Sequence, residues 1–236
     1  MRAYVYQRKH PRSPNAARKD YSFLKLPLAI DVAPIVAELA AVTLPWSSSL
    51  WKWHRGTQFC VLRGGPSGAL AGDELITGTG VDTPILDRLP GVRAVLDHAL
   101  GERAPLAWIG RSPPSSAIRL HIDNTQHWDE HHRIHVPLIT TPEARLCVGA
   151  RFVHMPAGSV WAFNNSGVHG AINDGPERLH LVIDLPSSAA VERLLGASER
   201  VAGEPDPVAL ARLSENPLGD QGAGERPEVL ARMLQQ

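Results

Sequence analysis

Residues 106–184 read LAWIGRSPPSSAIRLHIDNTQHWDEHHRIHVPLITTPEARLCVGARFVHMPAGSVWAFNNSGVHGAINDGPERLHLVID, a run of short β-rich segments with turn residues between them. Short segments of this kind, spaced by about ten residues, are typical of strands in an all-β domain. The segments are 106–111, 117–123, 133–138, 145–148, 151–154, 159–163, 168–172 and 178–184. Strands in this number favour a jelly roll of two sheets, as in cupins, so we expect a mainly β fold.

Polar residues lie at the ends of two of these strands. On an extended strand, residues two apart point to the same face, so His121 and Asp123 can reach one metal ion together. His169, at the start of another strand, completes a set of two imidazoles and one carboxylate, which is the facial triad of non-haem Fe(II) oxygenases. The alternative is that His121 and Asp123 form a structural hydrogen-bonded pair.

Arg178 opens the apolar strand 178–184 and is the second candidate site residue. A guanidinium is a natural partner for a dicarboxylate that reaches into a barrel, because its fork matches carboxylate geometry and stays charged. The alternative is a salt bridge to Asp174 or Glu177 in the preceding turn. Spacing alone leaves these two interpretations about equal.

Arg133 and His135 share one face of strand 133–138. If that face lines the cavity of the metal site, these two residues can hold a carboxylate near the metal ion. Otherwise they are ordinary exposed positions of an antiparallel strand. The loop before them contains His127 and His131, but a closed structural zinc site favours cysteines, and none is near. The HExxH motif of zinc peptidases is absent from the sequence.

Helices are predicted on both sides of the strand-rich region. Apolar residues from Val32 to Val42 recur at helical spacing behind Asp31, a potential N-cap. Strands are expected at 51–53 and 57–63, and the first 25 residues are expected to be irregular. One or two helices are expected over 82–100, with a break at Pro90. Three short helices follow at 189–195, 206–213 and 228–234, a tail that fits a lid, a dimer contact or a solvated appendage.

The bulk composition excludes several classes of partner. The chain has 236 residues, with 24 Lys plus Arg against 24 Asp plus Glu, so no net charge points to nucleic acid or an anionic membrane. A small molecule is the expected partner. No secretory signal or membrane-spanning run is evident, and Cys60 and Cys147 suggest no disulfide framework. We therefore expect a soluble cytoplasmic protein, and the oligomeric state is left open.

Four motifs in this region resemble the aspartyl/asparaginyl β-hydroxylase family of Fe(II)/2-oxoglutarate oxygenases. They are HID at 121–123, RIHVPL at 133–138, GSVWAFNNSGVHGAINDG at 158–175 and RLHLVID at 178–184. The resemblance implies a double-stranded β-helix in which His121, Asp123 and His169 bind Fe(II). It also implies that Arg178 binds the distal carboxylate of 2-oxoglutarate, in a pocket lined by Arg133 and His135. One catalytic core, 106–186, would then carry an N-terminal part, 1–105, and a helical appendage, 187–236, in one structural domain.

Asp123 separates this chain from the vertebrate members that name the family, which have glycine at that position. The chain looks closer to a bacterial branch with the full triad, which includes cis-specific proline hydroxylases. The resemblance implies use of dioxygen, release of succinate and CO2, and hydroxylation of an unactivated C–H bond of an amino acid, free or within a peptide. The alternatives are a cupin-like metalloenzyme that does not use 2-oxoglutarate and a noncatalytic metal-dependent binding protein.

Substrate contacts are expected from two places outside the metal set. Trp51, Trp53, His54 and Arg55 form an aromatic and cationic cluster, in which an arginine can hold a substrate carboxylate. Core packing of the two tryptophans is the equal alternative. His131, in the polar loop, and Asn165, just before His169, are further candidates for substrate contact, although Asn165 also fits a simple turn.

Overall fold

The computed structural model describes residues 19–49, 52–54, 56–64, 80–123 and 127–214. Its strands are β1 (Phe23–Ala29), β2 (Ser47–Ser48), β3 (Gln58–Gly64), β4 (Val81–Asp82), β5 (Leu106–Ser112), β6 (Ser116–His121), β7 (His131–Ile139), β8 (Ala144–Val148), β9 (Arg151–His154), β10 (Ser159–Phe163), β11 (His169–Asn173), β12 (Arg178–Pro186), β13 (Glu199–Val201) and β14 (Glu204–Pro205). The α-helices are α1 (Ala33–Ala40), α2 (Pro90–Ala94), α3 (His127–Glu130), α4 (Ala189–Gly196) and α5 (Pro207–Ser214). Lys52–His54 and Pro84–Arg88 are 3-10 helices, and Val95–Ala99 is a π-helix.

The strands form two antiparallel sheets. The large sheet has the order β13-β1-β10-β7-β12-β5-β3-β2, with β4 also paired to β3, and the small sheet has the order β14-β9-β8-β11-β6. From β5 to β12 the chain passes back and forth between the sheets, interrupted once by the β8–β9 hairpin. This is the double-stranded β-helix, or jelly roll, so the predicted fold class is confirmed. Each of the eight segments predicted as strands overlaps one of β5 to β12.

Strand β12 is buried on both faces and separates the apolar core from the site. Leu179, Leu181 and Ile183 pack into the main core with residues of α1 and α2. Arg178 and Val182 lie on the opposite face, where they line a cavity together with residues of the small sheet. Because side chains alternate along a strand, this one segment fills the core and also carries polar groups into the space between the sheets.

Two predictions for the N-terminal part are wrong. Residues 23–25, expected to be irregular, belong to β1, which pairs with β10 and β13. Lys52–His54 form a 3-10 helix where a strand was expected, and Trp51 lies outside the described residues. The Thr57 backbone N–H and side-chain hydroxyl both donate to the His54 carbonyl, at 3.0 and 2.8 Å. These bonds close the segment into a turn.

The predicted helices agree with the structure apart from their boundaries. Helix α1 begins one residue after Val32, its N-cap, and Asp31 accepts a hydrogen bond from the Ala33 N–H at 3.1 Å from outside the cap. The predicted helical segment 82–100 contains a 3-10 helix, α2 and a π-helix in succession. The 3-10 helix and α2 are separated at Leu89, one residue before the predicted break at Pro90. Pro90 itself occupies the first turn of α2, where a missing N–H costs nothing.

The C-terminal segment contains strands that were not predicted as well as helices that were. Helices α4 and α5 match the predicted 189–195 and 206–213, whereas the predicted helix 228–234 lies outside the described residues. Between α4 and α5, β13 extends the large sheet next to β1, and β14 extends the small sheet next to β9. Residues 199–205 therefore occupy an edge of each sheet.

Cys60 and Cys147 are both free and buried. Among the described helices, none combines the length and the apolar character that crossing a membrane requires.

Candidate metal centre

The His121, Asp123 and His169 side chains converge at one end of the small sheet. His121 ends β6, Asp123 follows two residues later, and His169 opens β11, where it is paired in register with His121. One potential ligand atom from each of the three residues lies within 4.8 Å of the other two. The nearest Asp123 oxygens are 3.8 Å from His121 Nε2 and 4.0 Å from His169 Nε2. Two imidazoles and one carboxylate in this arrangement match the donor set of a facial triad.

The two imidazoles are fixed by the backbone behind them. His121 Nδ1 lies 2.7 Å from the Arg119 carbonyl oxygen, and His169 Nδ1 lies 3.0 Å from the Gly167 carbonyl oxygen. Since a carbonyl only accepts, each Nδ1 carries a hydrogen and donates it, which leaves each Nε2 lone pair available for a metal. Burial lowers the pKa of His169 to about 3 and also lowers the pKa of His121. Both rings are therefore neutral, as metal ligation requires.

Asp123 is held in its ionised form by donors on one oxygen. Its Oδ2 accepts hydrogen bonds from Asn165 Nδ2 at 2.9 Å and from Arg133 Nη1 at 3.2 Å. Burial alone would raise the pKa of Asp123, but the nearby His169 and Arg133 side chains hold it well below its usual range. The Asp123 backbone N–H also donates to the Asn165 carbonyl at 3.0 Å. The carboxylate is thus fixed from both its side chain and its backbone.

Arg133 lines the cavity, but its guanidinium is engaged with protein carboxylates. Its Nε and Nη2 donate to the two oxygens of Asp184 at 2.9 and 3.1 Å, in addition to the bond to Asp123. The guanidinium also lies over the rings of Trp108 and Trp128, 4.7 and 4.2 Å from their centroids. Sequence reasoning missed Asp184, although an aspartate inside the apolar strand 178–184 was a visible signal. This geometry fits a support for Asp123 better than the predicted contact with 2-oxoglutarate.

Arg178 is a buried cation in the same cavity. Its Nε has no hydrogen-bond partner in the part of the chain that the structure describes. Burial lowers its pKa to about 10, which leaves it charged at neutral pH. The two carboxylates considered as its alternative partners are bound elsewhere, since Asp174 pairs with Arg212 and Glu177 with Arg111. A desolvated guanidinium of this kind is suited to pair with an anion.

His135 lies beside Arg178 and pairs with a histidine that sequence reasoning did not identify. His135 Nδ1 and His180 Nδ1 are 3.2 Å apart, so one ring donates to the other and the two have opposite tautomers. The Nε2 atoms of both rings are buried without a partner among the described residues. Burial, followed by the charge of Arg178, holds the pKa of each imidazole well below its ordinary value. His180 was accessible to sequence reasoning, because it shares a strand face with Arg178.

The cavity measures about 210 Å³ and is lined from both sheets and from the 3-10 helix 52–54. Trp53 and His54 line it, and His54 Nε2 lies 3.2 Å from His121 Nε2. Arg55 lies outside the described residues. The other two predicted substrate residues do not line the cavity: His131 stacks on His127 with ring centroids 4.0 Å apart, and Asn165 is buried behind Asp123. Aromatic rings from Phe59, Trp108, Trp128 and Phe163 also line the cavity.

The aspartyl/asparaginyl β-hydroxylase family matches the chain over residues 77–187. This range contains the triad, Arg178 and all eight strands of the double-stranded β-helix. The resemblance that the four sequence motifs indicated is therefore confirmed, and with it the prediction of an enzyme of hydroxylase type. No curated protein sequence matches the chain.

Solved structures with a similar fold include three oxygenase-related proteins. A 2OG-Fe(II) oxygenase family oxidoreductase from Burkholderia pseudomallei is 16% identical, with 65% of this chain and 76% of that chain covered and a TM-score of 0.45. A Pseudomonas putida prolyl-4-hydroxylase is 18% identical, with 72% and 95% covered and a TM-score of 0.43. HygX from Streptomyces hygroscopicus, solved with nickel and 2-oxoglutarate, is 15% identical, with 70% and 82% covered and a TM-score of 0.41. These distant similarities decide nothing about activity, and the fold assignment depends on the two sheets described above.

Proposed function

We propose that this protein is an Fe(II)- and 2-oxoglutarate-dependent dioxygenase that hydroxylates an unactivated C–H bond of an amino acid, free or within a peptide. Dioxygen is consumed, and succinate and CO2 are released. The observation that carries the proposal is the cavity that joins the triad to Arg178, a buried cation with no carboxylate partner among the described residues. A metal site alone supports many reactions, but a metal site beside an unpaired arginine supports one with an anionic cosubstrate.

The residues present fit both groups. His121 Nε2, His169 Nε2 and an Asp123 oxygen would hold Fe(II), and Arg178 would hold the distal carboxylate of 2-oxoglutarate. When bound, the iron and the keto acid together supply the activation of dioxygen that C–H hydroxylation requires. His135 Nε2, which is unpartnered in the cavity among the described residues, would complete the cosubstrate pocket.

The chain's own contribution is positioning and exclusion of water. Arg133, held by Asp184 and by two indole rings, keeps Asp123 in place. The apolar rings that line the cavity offer few partners to water, and exclusion of water would strengthen the pairing of Arg178 with a carboxylate. Trp53 and His54 are proposed to contact the substrate because they line the side of the cavity next to His121. Arg55 stays a prediction as a partner for a substrate carboxylate.

Cosubstrate binding is the direct test of the role of Arg178. Anaerobic addition of Fe(II) and 2-oxoglutarate should give a weak visible charge-transfer band, and its titration gives the affinity for 2-oxoglutarate. Arg178→Gln should weaken this affinity by roughly 10- to 100-fold, the range expected for loss of a hydrogen-bonded charge pair. Arg111→Gln is the matched control, because Arg111 lines the same cavity but is paired with Glu177, and it should change the affinity by less than about threefold. Equal effects of the two substitutions would contradict the assignment.

Turnover is tested by succinate release across free amino acids and short peptides, with Asp123→Ala as the blank. The expected result is one substrate that couples succinate to a mass gain of one oxygen atom. If the protein binds metal but does not bind 2-oxoglutarate, the alternative of a cupin-like metalloenzyme that does not use 2-oxoglutarate is supported instead. If 2-oxoglutarate binds and no substrate is hydroxylated, the amino acid is the wrong substrate class.

A further inference from the structure

Lys19 is a buried lysine whose position the proposed reaction does not explain. Its exposed fraction is 7%, and its Nζ donates to Asn165 Oδ1 at 2.7 Å while lying over the Trp128 ring, 5.2 Å from the centroid. Burial lowers its pKa to about 8, so the ammonium is still mostly charged at neutral pH. Burying a charge costs free energy unless it is paired, so lysines are rarely found at such positions.

The hydrogen-bonding chemistry of Lys19 fixes the orientation of the Asn165 amide. An ammonium only donates, so it can contact the amide oxygen and never the amide NH2 group. With Oδ1 facing Lys19, Nδ2 must face the other way, where it donates to Asp123 Oδ2 at 2.9 Å. Without the lysine, a flipped amide would place an oxygen against the carboxylate. We propose that Lys19 is a positioning residue for the metal-binding carboxylate, acting through Asn165.

The backbone around Lys19 is held independently of the ammonium. The Lys19 carbonyl accepts from Asn164 Nδ2 at 3.1 Å, and the Asn164 N–H donates to the Ser22 carbonyl at 3.0 Å. Strand β1 then continues the same segment into the large sheet. Removing only the ammonium should therefore leave the chain path in place and change the amide, which makes substitution of Lys19 informative.

The proposal and simple electrostatics predict changes of opposite sign in metal affinity when Lys19 is removed. A positive charge near a cation site repels the cation, so removal of Lys19 through charge alone would strengthen metal binding. If Lys19 orients Asn165, its removal should weaken metal binding instead, because the carboxylate loses a fixed donor. Loss of a partner behind a metal ligand typically costs about 10- to 100-fold in metal affinity. The direction of the change therefore separates the two effects.

The experiment is titration of the full chain with Co(II) alone, followed by its visible spectrum, which needs neither 2-oxoglutarate nor turnover. Lys19→Met should weaken Co(II) binding about tenfold and alter the spectrum. Lys19→Arg, which also only donates, should stay near wild type. Lys19→Gln, whose amide can donate or accept, should have a Co(II) affinity between those of Lys19→Met and Lys19→Arg. It replaces Lys19→Met in the test if that variant does not fold. Co(II) affinity at or above the wild-type value in Lys19→Met, or in Lys19→Gln if that variant is used, overturns the proposal.

A double-mutant cycle tests whether Lys19 acts through Asn165. In an Asn165→Leu background, Lys19→Met should have no further effect on Co(II) affinity, because the amide that Lys19 orients is gone. Additive effects would show that Lys19 acts by another route and would overturn the proposal. The inference rests on the proposed metal centre, but the two fail differently. Absence of Co(II) binding by the wild type refutes both, whereas wild-type binding that Lys19→Met leaves unchanged refutes this inference alone.

Discussion

Arg133 and Arg178 line the same cavity but differ in what surrounds them, which suits Arg133 to support a protein carboxylate and Arg178 to pair with an anion. Arg133 contacts two protein carboxylates, Asp184 and Asp123, and its guanidinium lies over two indole rings. Arg178 has a buried Nε without a partner among the described residues. A buried charge without a counter-charge is costly in a folded protein unless a ligand supplies the counter-charge. Binding of an anion, the role proposed for Arg178, would therefore recover the free energy lost in burying this residue.

Buried histidines make the stability of the metal-free protein depend on pH. Burial lowers the pKa of His121, His135, His169 and His180 from the ordinary value of 6.5, that of His169 to about 3. Below pH 6.5 the unfolded chain binds protons that the folded chain does not, so stability falls as the pH falls. Each histidine contributes up to about 1.4 kcal/mol per pH unit in this window. Urea unfolding at pH 7.5, 6.5 and 5.5 should show this decline.

The control for this prediction is His169→Gln, which removes one titrating ring. The free energy of unfolding of this variant should change less steeply between pH 6.5 and 5.5 than that of the wild type. The slopes should differ by up to about 1.4 kcal/mol per pH unit, the contribution of one histidine. Asp123 does not confuse the result, because the window of a carboxylate with a lowered pKa lies below its ordinary value of 3.8. Stability that is independent of pH over this range would show that the rings are protonated in the folded state.

At the scale of elements, strands could be predicted where local pattern and tertiary pairing agree. Alternation and turn residues predicted all eight strands of the double-stranded β-helix. The two-residue period of a strand also predicted that His121 and Asp123 point to the same face. Strand β1 was missed because its identity depends on pairing with β10 and β13, which lie far away in the sequence. Lys19 was missed for the same reason, since its partner Asn165 is brought to it only by folding.

Gly170 sets the distance between the two strands that carry the histidines. It follows His169 in β11, and a Cβ at this position would lie 2.7 Å from the Ile118 carbonyl oxygen of β6. Gly170→Ala should therefore push β6 away from β11 and displace His121 relative to His169. We expect at least a tenfold loss of Co(II) affinity, by analogy with the loss of support behind a ligand, and a lower melting temperature.

Gly196→Ala is the matched control for this substitution, because a Cβ at Gly196 has no atom within 4 Å. It lies at the end of α4 and should leave Co(II) affinity at the wild-type value. If Gly170→Ala also binds Co(II) normally, the spacing of β6 and β11 does not control the site.

At the scale of the whole molecule, the C-terminal segment is part of the scaffold behind the metal centre. Strands β13 and β14 extend one sheet each, and α5 packs its buried residues Ala209 and Leu213 against the outer face of the small sheet. Leu120, the neighbour of the proposed ligand His121, belongs to the same cluster. A tail with only a lid or solvated role would not need this contact, so the described part of the tail supports β6, the strand that ends in the proposed ligand His121.

Leu213→Ala tests that support from the far side of the sheet. Leu213 is buried against the small sheet, and truncation of such a side chain costs about 2–5 kcal/mol through lost burial and the cavity left behind. Val208→Ala on the same helix is the control, because Val208 is 73% exposed and should change stability by less than about 0.5 kcal/mol. Urea unfolding measures both. Equal stabilities of the two variants would show that α5 does not support the sheet. Leu213→Ala should also weaken Co(II) binding, because Leu120, next to His121, loses part of its packing.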